Sequence, residues 1–586
     1  MTAVRQIVRY ARRLGQITES GAKVLNRSTR CASTQAQRNI IEDENGKKIF
    51  PSPHGEITPC ESFIHDFVWK DVERNAKYTA LVCSVTGRKY TYSEARDAAN
   101  YIARSLLSMG LRKGDVVALV APNYPESILA FLGIVEADLV ITTVNPYYTA
   151  EEISRQLKDS RAKAMITVAE IADVALEAAK DSLPPGAHIV VIEDGTGPIP
   201  QGTVPFKDLV TRGKTLPALK YTERSIEDTA ILPYSSGTTG LPKGVMLTHK
   251  NLVSNMQMLR VAGGDMVWRQ PTETFQEVVP LILPFFHIFG MNGIVLPHLS
   301  SGSKLITVPK FTPDLFINVL DTNKVTSLFL VPPILIFFNA HPLIKKQHLE
   351  SMEVAISGAA PLGEADVHQF YDKFETDHSK LKFCQGYGLT ETSPVCTFEK
   401  TGLKSGSVGK NVASCEVRLV DPLTNKDVSV PGQGGEIWIK GPHVMKGYYN
   451  NEQATKETIV DGWLKTGDIA YYDEDYDFFI TDRLKELIKV KGFQVAPAEL
   501  EALLRMHPDV EDAAVVGVPD ERSGEVPKAF ILVKDDAKAT EEDIKNFVKG
   551  KVSEYKELQG GVKFVDYIPK TSTGKILRTK LKNEFK

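Results

Sequence analysis

Little in this chain points to a membrane, a disulfide scaffold or a nucleic-acid partner. Its longest apolar stretch, Val278 to Leu299, is broken by Pro280, Pro284, His287, Asn292, Pro297 and His298, which an isolated membrane helix tolerates poorly. Cysteines are scarce: Cys31, Cys60, Cys83, Cys384, Cys396 and Cys415 are the six in 586 residues. No two of them stand at Cys-x-x-Cys or another zinc-ligand spacing, so they read as free thiols in a reducing compartment. Neither sign of charge dominates, because 70 Lys+Arg against 73 Asp+Glu leave a formal net charge of −3. The chain as a whole therefore offers no bulk attraction to nucleic acid or to an anionic membrane. A repeat of solenoid period is also missing. What is present is an ordinary globular mixture, 42% hydrophobic and 24% charged, and enough length for three or four structural units around a deep pocket.

One segment departs from that balance. Residues 1–41 hold Arg5, Arg9, Arg12, Arg13, Lys23, Arg27, Arg30 and Arg38 against the single acid Glu19, while Val4, Ile7, Val8, Ala11 and Leu14 recur at helical spacing. An amphipathic, Arg-rich, acid-poor stretch is the pattern of a mitochondrial transit peptide, with a basic tail in a cytoplasmic protein as the alternative. The expected location is the mitochondrial matrix. The final residues, Asn583-Glu584-Phe585-Lys586, do not form a Ser-Lys-Leu peroxisomal signal.

From about residue 60 the chain alternates between helical and strand patterns. Thr91 with Glu94, and Thr149 with Glu152, are capping-box pairs that open helices, the first predicted over about 92–109 and closed at Gly110. Apolar strand runs are expected at Val116–Ala121, Leu139–Val144, Ala164–Val168, Lys304–Val308 and Ser327–Val331. Such alternation predicts an α/β fold with parallel sheets covered by helices. Between Gly435 and Ile480 short strands and turns suggest a β-rich subdomain. Beyond about 484 a helix from Pro497, strands at 513–518 and 528–534, a helix after Thr540 and a strand near 562–566 suggest a small α+β domain.

The most informative segment is Tyr234-Ser235-Ser236-Gly237-Thr238-Thr239-Gly240-Leu241-Pro242-Lys243-Gly244. Glycines allow positive φ and close approach, so the loop can turn several N–H groups toward one anion while the hydroxyls and Lys243 add donors. It suits a polyphosphate. It does not follow the Gly-x4-Gly-Lys-Ser/Thr pattern, which disfavours a P-loop kinase or GTPase.

This segment resembles the signature of the adenylate-forming (AMP-binding) superfamily, in the branch of acyl-CoA synthetases, coumarate-CoA ligases and firefly luciferases. Further motifs follow in order: Leu283-Pro284-Phe285-Phe286-His287, Ser357-Gly358-Ala359-Ala360-Pro361, Gln385-Gly386-Tyr387-Gly388-Leu389-Thr390-Glu391, Thr466-Gly467-Asp468, Asp482-Arg483-Leu484-Lys485-Glu486, Lys491-Gly492-Phe493-Gln494 and Thr571-Ser572-Thr573-Gly574-Lys575. The resemblance implies an ATP-dependent acid–thiol ligase with ATP, Mg²⁺ and coenzyme A. It implies a large multi-subdomain N-terminal domain, 42–483, and a small mobile C-terminal lid, 484–586. The lid turns about Lys485 between an adenylating and a thiol-accepting face.

Roles carry over position by position. Lys575 is the implied catalytic lysine on the transferring phosphoryl group, Glu391 the Mg²⁺ contact and Thr390 a phosphate ligand. Asp468 and Arg483 are implied contacts of the ribose. Ser235 to Gly240 with Lys243 would hold phosphates, while Tyr387 and the loop with Ser357, Gly358, Ala359 and Ala360 would flank adenine, and Gln385 and Gly386 also belong to the implied ATP site. His287 would stand beside the acyl carboxylate. Lys489, Lys491, Gly492, Phe493 and Gln494 would serve the CoA step. Val490, where relatives often carry an aromatic, and Thr571-Ser572-Thr573, where many carry Ser-Pro-Ser, depart from the pattern.

The acyl pocket is expected from Phe286, His287, Met291, Asn292, Val331, Pro332, Ala359, Gly386, Ser393 and Pro394. That set is mainly apolar and lacks an obvious Asp for an α-amino group, so a fatty or aromatic acid fits better than an amino acid. Two alternatives stay open on sequence alone: a luciferase-like monooxygenase that oxidises its adenylate, and a catalytically idle scaffold.

Overall fold

A computed structural model describes residues 40–584 apart from 222, 236–241, 361, 363, 403, 405, 485, 491–492, 521, 553 and 572–573. The transit segment proposed for residues 1–41 therefore lies almost wholly outside the described residues.

The centre is a nine-stranded sheet. Its parallel body runs through Thr229–Ile231, Val140–Val144, Val116–Val120, Ala164–Val168, Ile189–Ile192 and Val204–Pro205. Strands buried on both faces need continuous apolar sequence, and Val116-Val117-Ala118-Leu119-Val120 is buried at every position. The helices between them form where the caps predict. Thr91 and Glu94 close a capping box on Tyr92–Ser108, and Thr149 and Glu152 do the same for Ala150–Ser160. Helix Pro125–Glu136 is buried all round, which accounts for its lack of a polar face.

At one edge the sheet turns antiparallel. Lys243–Thr248 pairs with Thr229–Ile231, with Tyr234–Ser235 and with the short strand Gly447–Tyr448. A second layer joins Val278–Leu281, Lys304–Thr307, Thr79–Cys83 and Lys89–Thr91. A third has Ser327–Leu330, Val354–Ser357 and Lys382–Gly388 in parallel, followed by antiparallel Val395–Glu399 and Lys410–Asn411. The apolar stretch 278–299 divides into a strand, the π-helix Phe289–Val295 and the helix Leu296–Ser300. Among the described residues no helix is long and apolar enough to cross a membrane.

The β-rich region is a sheet of Glu416–Val420, Gly435–Lys440, Trp463–Tyr472 and Ile459–Val460, with Phe478–Arg483 on Trp463–Tyr472. One of its strands is ten residues long, so it is not built only of short strands. The last region has its own sheet, Phe493–Val495, Ile488–Val490, Gly524–Val533, Val510–Asp520 and Val562–Phe564. Its two central strands form a hairpin longer than the apolar runs at 513–518 and 528–534 suggest, because backbone pairing continues past them to Asp520↔Gly524. Ile488, Val490, Leu500, Leu504, Ile531 and Ile544 close a separate core there.

Candidate active site

A cavity of about 850 Å³ opens where the strands of these sheets end. Ligand sites in open α/β sheets gather at the carboxyl ends of strands, where loops replace helices as the covering layer. Ser357 ends Val354–Ser357, and Gly358 and Ala359 follow it into the cavity wall with Ala359 at φ 69°. Gly386, Tyr387 and Gly388 end Lys382–Gly388 and line the wall. The single turn Thr390–Thr392 then presents Thr390 and Glu391 to it. Gln385 is buried in the same strand and does not reach the wall; Ala360 lies just past it.

Glu391 is braced on one side. Ser235 Oγ donates to its Oε1 at 2.8 Å and Tyr448 Oη donates to the same oxygen at 3.0 Å. Tyr448 is delivered by the pairing of Gly447–Tyr448 with Lys243–Thr248, and its ring lies 5.0 Å from Lys243 Nζ. Strand pairing thus sets a phenol and an ammonium side by side, and hydrogen bonds from Tyr448 and Ser235 hold the carboxylate next to them. Burial and the adjacent Glu391 push the Tyr448 phenol far up, so it stays a donor. With Oε1 held by two hydroxyls, Oε2 remains for a hard cation, and oxygen donors of this type suit Mg²⁺.

Asp468 and Arg483 face each other across paired strands. Arg483 Nε is 3.2 Å from Asp468 Oδ1, and Tyr387 Oη donates to Oδ2 at 2.7 Å. Burial raises the Asp468 pKa, and the Arg483 charge opposes that shift. The arrangement leaves an acceptor beside a cation and an aromatic ring, which suits a ribose and a flat base.

Lys575 comes from the C-terminal domain and also lines the cavity, with Lys570, Thr571 and Leu577. Its loop is a tight turn: Gly574 N donates to Thr571 O, Thr571 N to Lys575 O, and Lys575 N to Thr571 Oγ1. Gly574 has φ 82°, and a Cβ on it would lie 2.8 Å from Pro333 Cδ. Only glycine lets this turn seat against Pro333. Lys575 Nζ is 3.8 Å from Glu486 Oε1, and Arg578 donates from Nε to Glu486 Oε2 at 2.8 Å. Burial and then Arg483 lower the Lys575 pKa, with Glu486 and Asp468 opposing.

His287 lines the cavity beside Phe286. Its Nδ1 accepts from Phe289 N at 3.2 Å, which puts the ring proton on Nε2. Burial pulls its pKa down to about 4, so at neutral pH it is an uncharged donor.

Five residues expected in the acyl pocket are not brought to the wall. Met291 is fully buried on the π-helix, and Asn292 Nδ2 is spent on Leu252 O and Ser393 O. Ser393 Oγ donates to His443 O at 2.9 Å. Val331 and Pro332 precede the Pro333 ring on which the Lys575 loop sits, and Pro332 opens a helix. The wall uses Leu259, Trp268, Phe329 and Ile356 instead, with Phe286, His287, Ala359, Gly386 and Pro394 as expected. Trp268 and Phe329 carry no local motif, so sequence reasoning had no signal for them. Tyr448 sits in Gly447-Tyr448-Tyr449, where a glycine before two tyrosines hints at a close approach but not at what is approached.

Lys489 is on the exposed side of Ile488–Val490, and its backbone N donates to Glu525 Oε2 at 2.9 Å; it does not line the cavity. Phe493 and Gln494 lie opposite Val490 and Lys489 in that hairpin. Ser236, Gly237, Thr238, Thr239, Gly240, Lys485, Lys491 and Gly492 lie outside the described residues.

A parallel-stranded α/β enzyme fold with a separate C-terminal domain, and a cleft furnished for a nucleotide at one end and an apolar group at the other, defines a class of nucleotide-using enzymes. Family comparison is specific: the model described as AMP-binding enzyme matches residues 68–449, and the one described as AMP-binding enzyme C-terminal domain matches 499–575. The chain belongs to the AMP-binding enzyme family. It is 40% identical over 563 residues to 4-coumarate–CoA ligase 1 of Arabidopsis thaliana, covering 94% of this chain and 98% of that one. A probable 4-coumarate–CoA ligase 1 of Dictyostelium discoideum is 37% identical, over 93% and 99% of the two chains. The crystal structure of the anthranilate CoA ligase AuaEII in complex with anthranoyl-AMP matches with a TM-score of 0.80 at 28% identity, over 90% of this chain and 98% of that one.

Proposed function

We propose that the protein is an ATP-dependent carboxylic acid–CoA ligase acting on a fatty or aromatic acid. A carboxylate oxygen of the acid attacks the α-phosphorus of ATP, the bond to the β-phosphate bridge breaks, and pyrophosphate leaves an acyl-adenylate. The thiol of CoA then attacks the acyl carbonyl, loses its proton and displaces AMP. The observation that carries this reading is convergence: Lys575, Arg483, Thr390 and Glu391 line the same cavity as Trp268, Phe329 and Ile356. A polyanion and an apolar group are thereby held end to end.

Each residue has a task in the first step. A carboxylate approaching a polyphosphate is repelled, and a fixed cation on the transferring oxygens offsets that repulsion at the transition state. Lys575 supplies the cation, Lys243 and the Ser235–Gly240 loop receive the outgoing phosphates, and Thr390 donates to the same oxygens. Glu391 Oε2 would hold Mg²⁺, whose charge further neutralises the phosphates when bound. Asp468 and Arg483 hold the ribose, with Tyr387 and the Ser357–Ala360 loop against adenine. His287 Nε2–H donates to the acid's carboxylate. The second step uses the other face of the C-terminal domain: rotation about Lys485 withdraws Lys575 and brings Lys489, Lys491, Gly492, Phe493 and Gln494 to the cleft. That Lys489 does not line the present cavity supports that division of labour.

The arginine-rich segment 1–41 supports delivery to mitochondria, where the ligase serves fatty or aromatic acid metabolism. Fusion of residues 1–41 to a fluorescent protein tests the address, and diffuse cytoplasmic signal would refute it. The function is tested by pyrophosphate release with Mg²⁺-ATP and a panel of fatty and aromatic acids, with and without CoA. CoA-dependent turnover is expected; adenylation that never yields thioester would sink the ligase reading.

A further inference from the structure

The strand that delivers Asp468 is interrupted just before it. Across the pair Gly435–Lys440 and Trp463–Tyr472, Glu436 stands opposite Ile469 and Trp438 opposite Lys465, so the single residue Ile437 faces Thr466, Gly467 and Asp468. A bulge of this kind leaves backbone groups without ladder partners and re-aims the residues around it. Here side chains take those groups up. Thr466 Oγ1 donates to Ile437 O at 2.6 Å and accepts from Asp468 N at 3.1 Å. Gly467 N donates to Glu436 Oε1 at 2.9 Å. Gly467 has φ 72°, a conformation that suits glycine, and its carbonyl accepts from Leu484 N at 2.8 Å. Gly467 is thus held from both sides, by a side chain of one neighbouring strand and by the backbone just past the other. Asp468 follows it and Arg483 precedes Leu484, so the same clamp fixes both members of the Asp468–Arg483 ion pair.

Glu436 is 7% exposed. A buried carboxylate is costly unless its oxygens are bonded, and both are, because Trp438 Nε1 donates to Oε2 at 2.8 Å. Glu436 and Trp438 are two positions apart on one strand and so share a face. The indole is fixed in turn by its cross-strand neighbours. Arg418 and Lys465 stand opposite Trp438 on either side, with their charged ends 5.2 Å and 5.5 Å from its ring. Two N–H donors therefore converge on one side chain. A carboxylate accepts both, whereas an amide of the same shape turns its NH₂ on one of them. Glu436, Gly467, Arg483 and Leu484 all line the cavity.

We propose that Glu436 is a positioning residue of the ribose subsite, fixing the bulge at Gly467 so that Asp468 and Arg483 stand in register to hold the ribose hydroxyls of ATP. The inference rests on the ligase reading and adds a residue to its nucleotide end. With both oxygens engaged, Glu436 acts on the nucleotide through Gly467, and the Trp438 indole aims its carboxylate.

The test compares Mg²⁺-ATP with the Mg²⁺ complex of 2′,3′-dideoxyATP, which lacks both ribose hydroxyls, in wild type, Glu436→Gln, Trp438→Phe and the double variant. Pyrophosphate release is read with the fastest acid of a fatty and aromatic panel. Glu436→Gln should lower kcat/KM for ATP by on the order of 10²-fold, the loss that a displacement of about 1 Å can cause, and leave dideoxyATP little changed. Trp438→Phe should stay near wild type, because Gly467 N–H keeps its acceptor. Adding Trp438→Phe to Glu436→Gln should restore most of the preference for ATP, since the amide oxygen then accepts from Gly467 and the NH₂ meets no donor. Equal losses for both nucleotides in Glu436→Gln, or a double variant no better than it, overturn the assignment while leaving the ligase intact. A wild type that uses both nucleotides alike does the same. Amide hydrogen exchange at Gly467 in wild type checks the brace without any variant: protection is expected, and exchange at the rate of an unbonded amide refutes it. A wild type that turns over none of the acids overturns the ligase reading instead; calorimetric affinities for the two nucleotides, with the same pattern expected across the variants, then decide the role of Glu436.

Discussion

The C-terminal domain carries two sets of basic residues, and they stand in opposite situations. Lys575 reaches the cavity on a turn seated against Pro333 and tied through Glu486 to Arg578. Lys489 is exposed on the strand Ile488–Val490 and does not line the cavity. Both belong to one sheet-and-helix unit with its own core, so a rigid turn of that unit can exchange one face for the other without unfolding either. A charge needed for one step only can thus be removed for the next. On the other side of the cleft, Ser235 and Tyr448 are fixed by strand pairing, and their hydroxyls hold Glu391 on the turn Thr390–Thr392.

That contrast can be broken at its strongest point first. Lys575→Ala should lower adenylation by about 10²- to 10³-fold, the usual loss for one preorganised donor, while transfer from added acyl-adenylate to CoA stays near the wild-type rate. Pyrophosphate exchange and single-turnover thioester formation measure the two steps separately, and equal losses in both would remove the distinction between the faces. Lys489→Ala should do the reverse on a smaller scale, slowing thioester formation by about tenfold with exchange unaffected.

The fixed side responds differently. Tyr448→Phe keeps the ring near Lys243 but frees Glu391 Oε1 from one of its two donors. Outer partners of a metal ligand are typically worth about 10- to 100-fold, so the Mg²⁺ concentration giving half-maximal exchange should rise within that range. Binding of ATP without metal, followed by calorimetry, should be unchanged. A shift in both would make Tyr448 a general prop of the site.

The pH profile is the gentlest probe. Lys575 acts as a cation and its pKa is lowered from 10.5 by burial and Arg483, so adenylation should fail on the alkaline side before an ordinary lysine would lose its proton. Asp468 acts ionised and its pKa is raised from 3.8 by burial, so the acid limb should begin above the normal aspartate range. His287, held near 4, stays neutral across the plateau. An alkaline limb that persists unshifted in Lys575→Arg would assign it to another group.

Much of the architecture is legible locally. Thr91 with Glu94 and Thr149 with Glu152 announce helix starts because capping satisfies N–H groups within one turn, and the apolar run at Val116–Val120 announces a strand buried on both faces. The nucleotide end is legible for a related reason: glycines, hydroxyls and single charges at strand ends leave dense, ordered motifs. The acyl end does not. Met291 and Asn292 follow His287 in an apolar run, yet the π-helix turns them into the core, and Asn292 is occupied by two carbonyls.

Sequence by itself determined the family, the alternation of helix and strand, and the chemical kinds of group gathered for the nucleotide, since each rests on neighbours along the chain or on motifs read in order. Tertiary structure alone decided that Tyr448 braces Glu391, that the Lys575 loop docks on Pro333, and that Trp268 and Phe329 join the cavity wall. Each of those contacts joins residues more than fifty positions apart or depends on which side of an element faces the cavity, and no local preference of the chain encodes either.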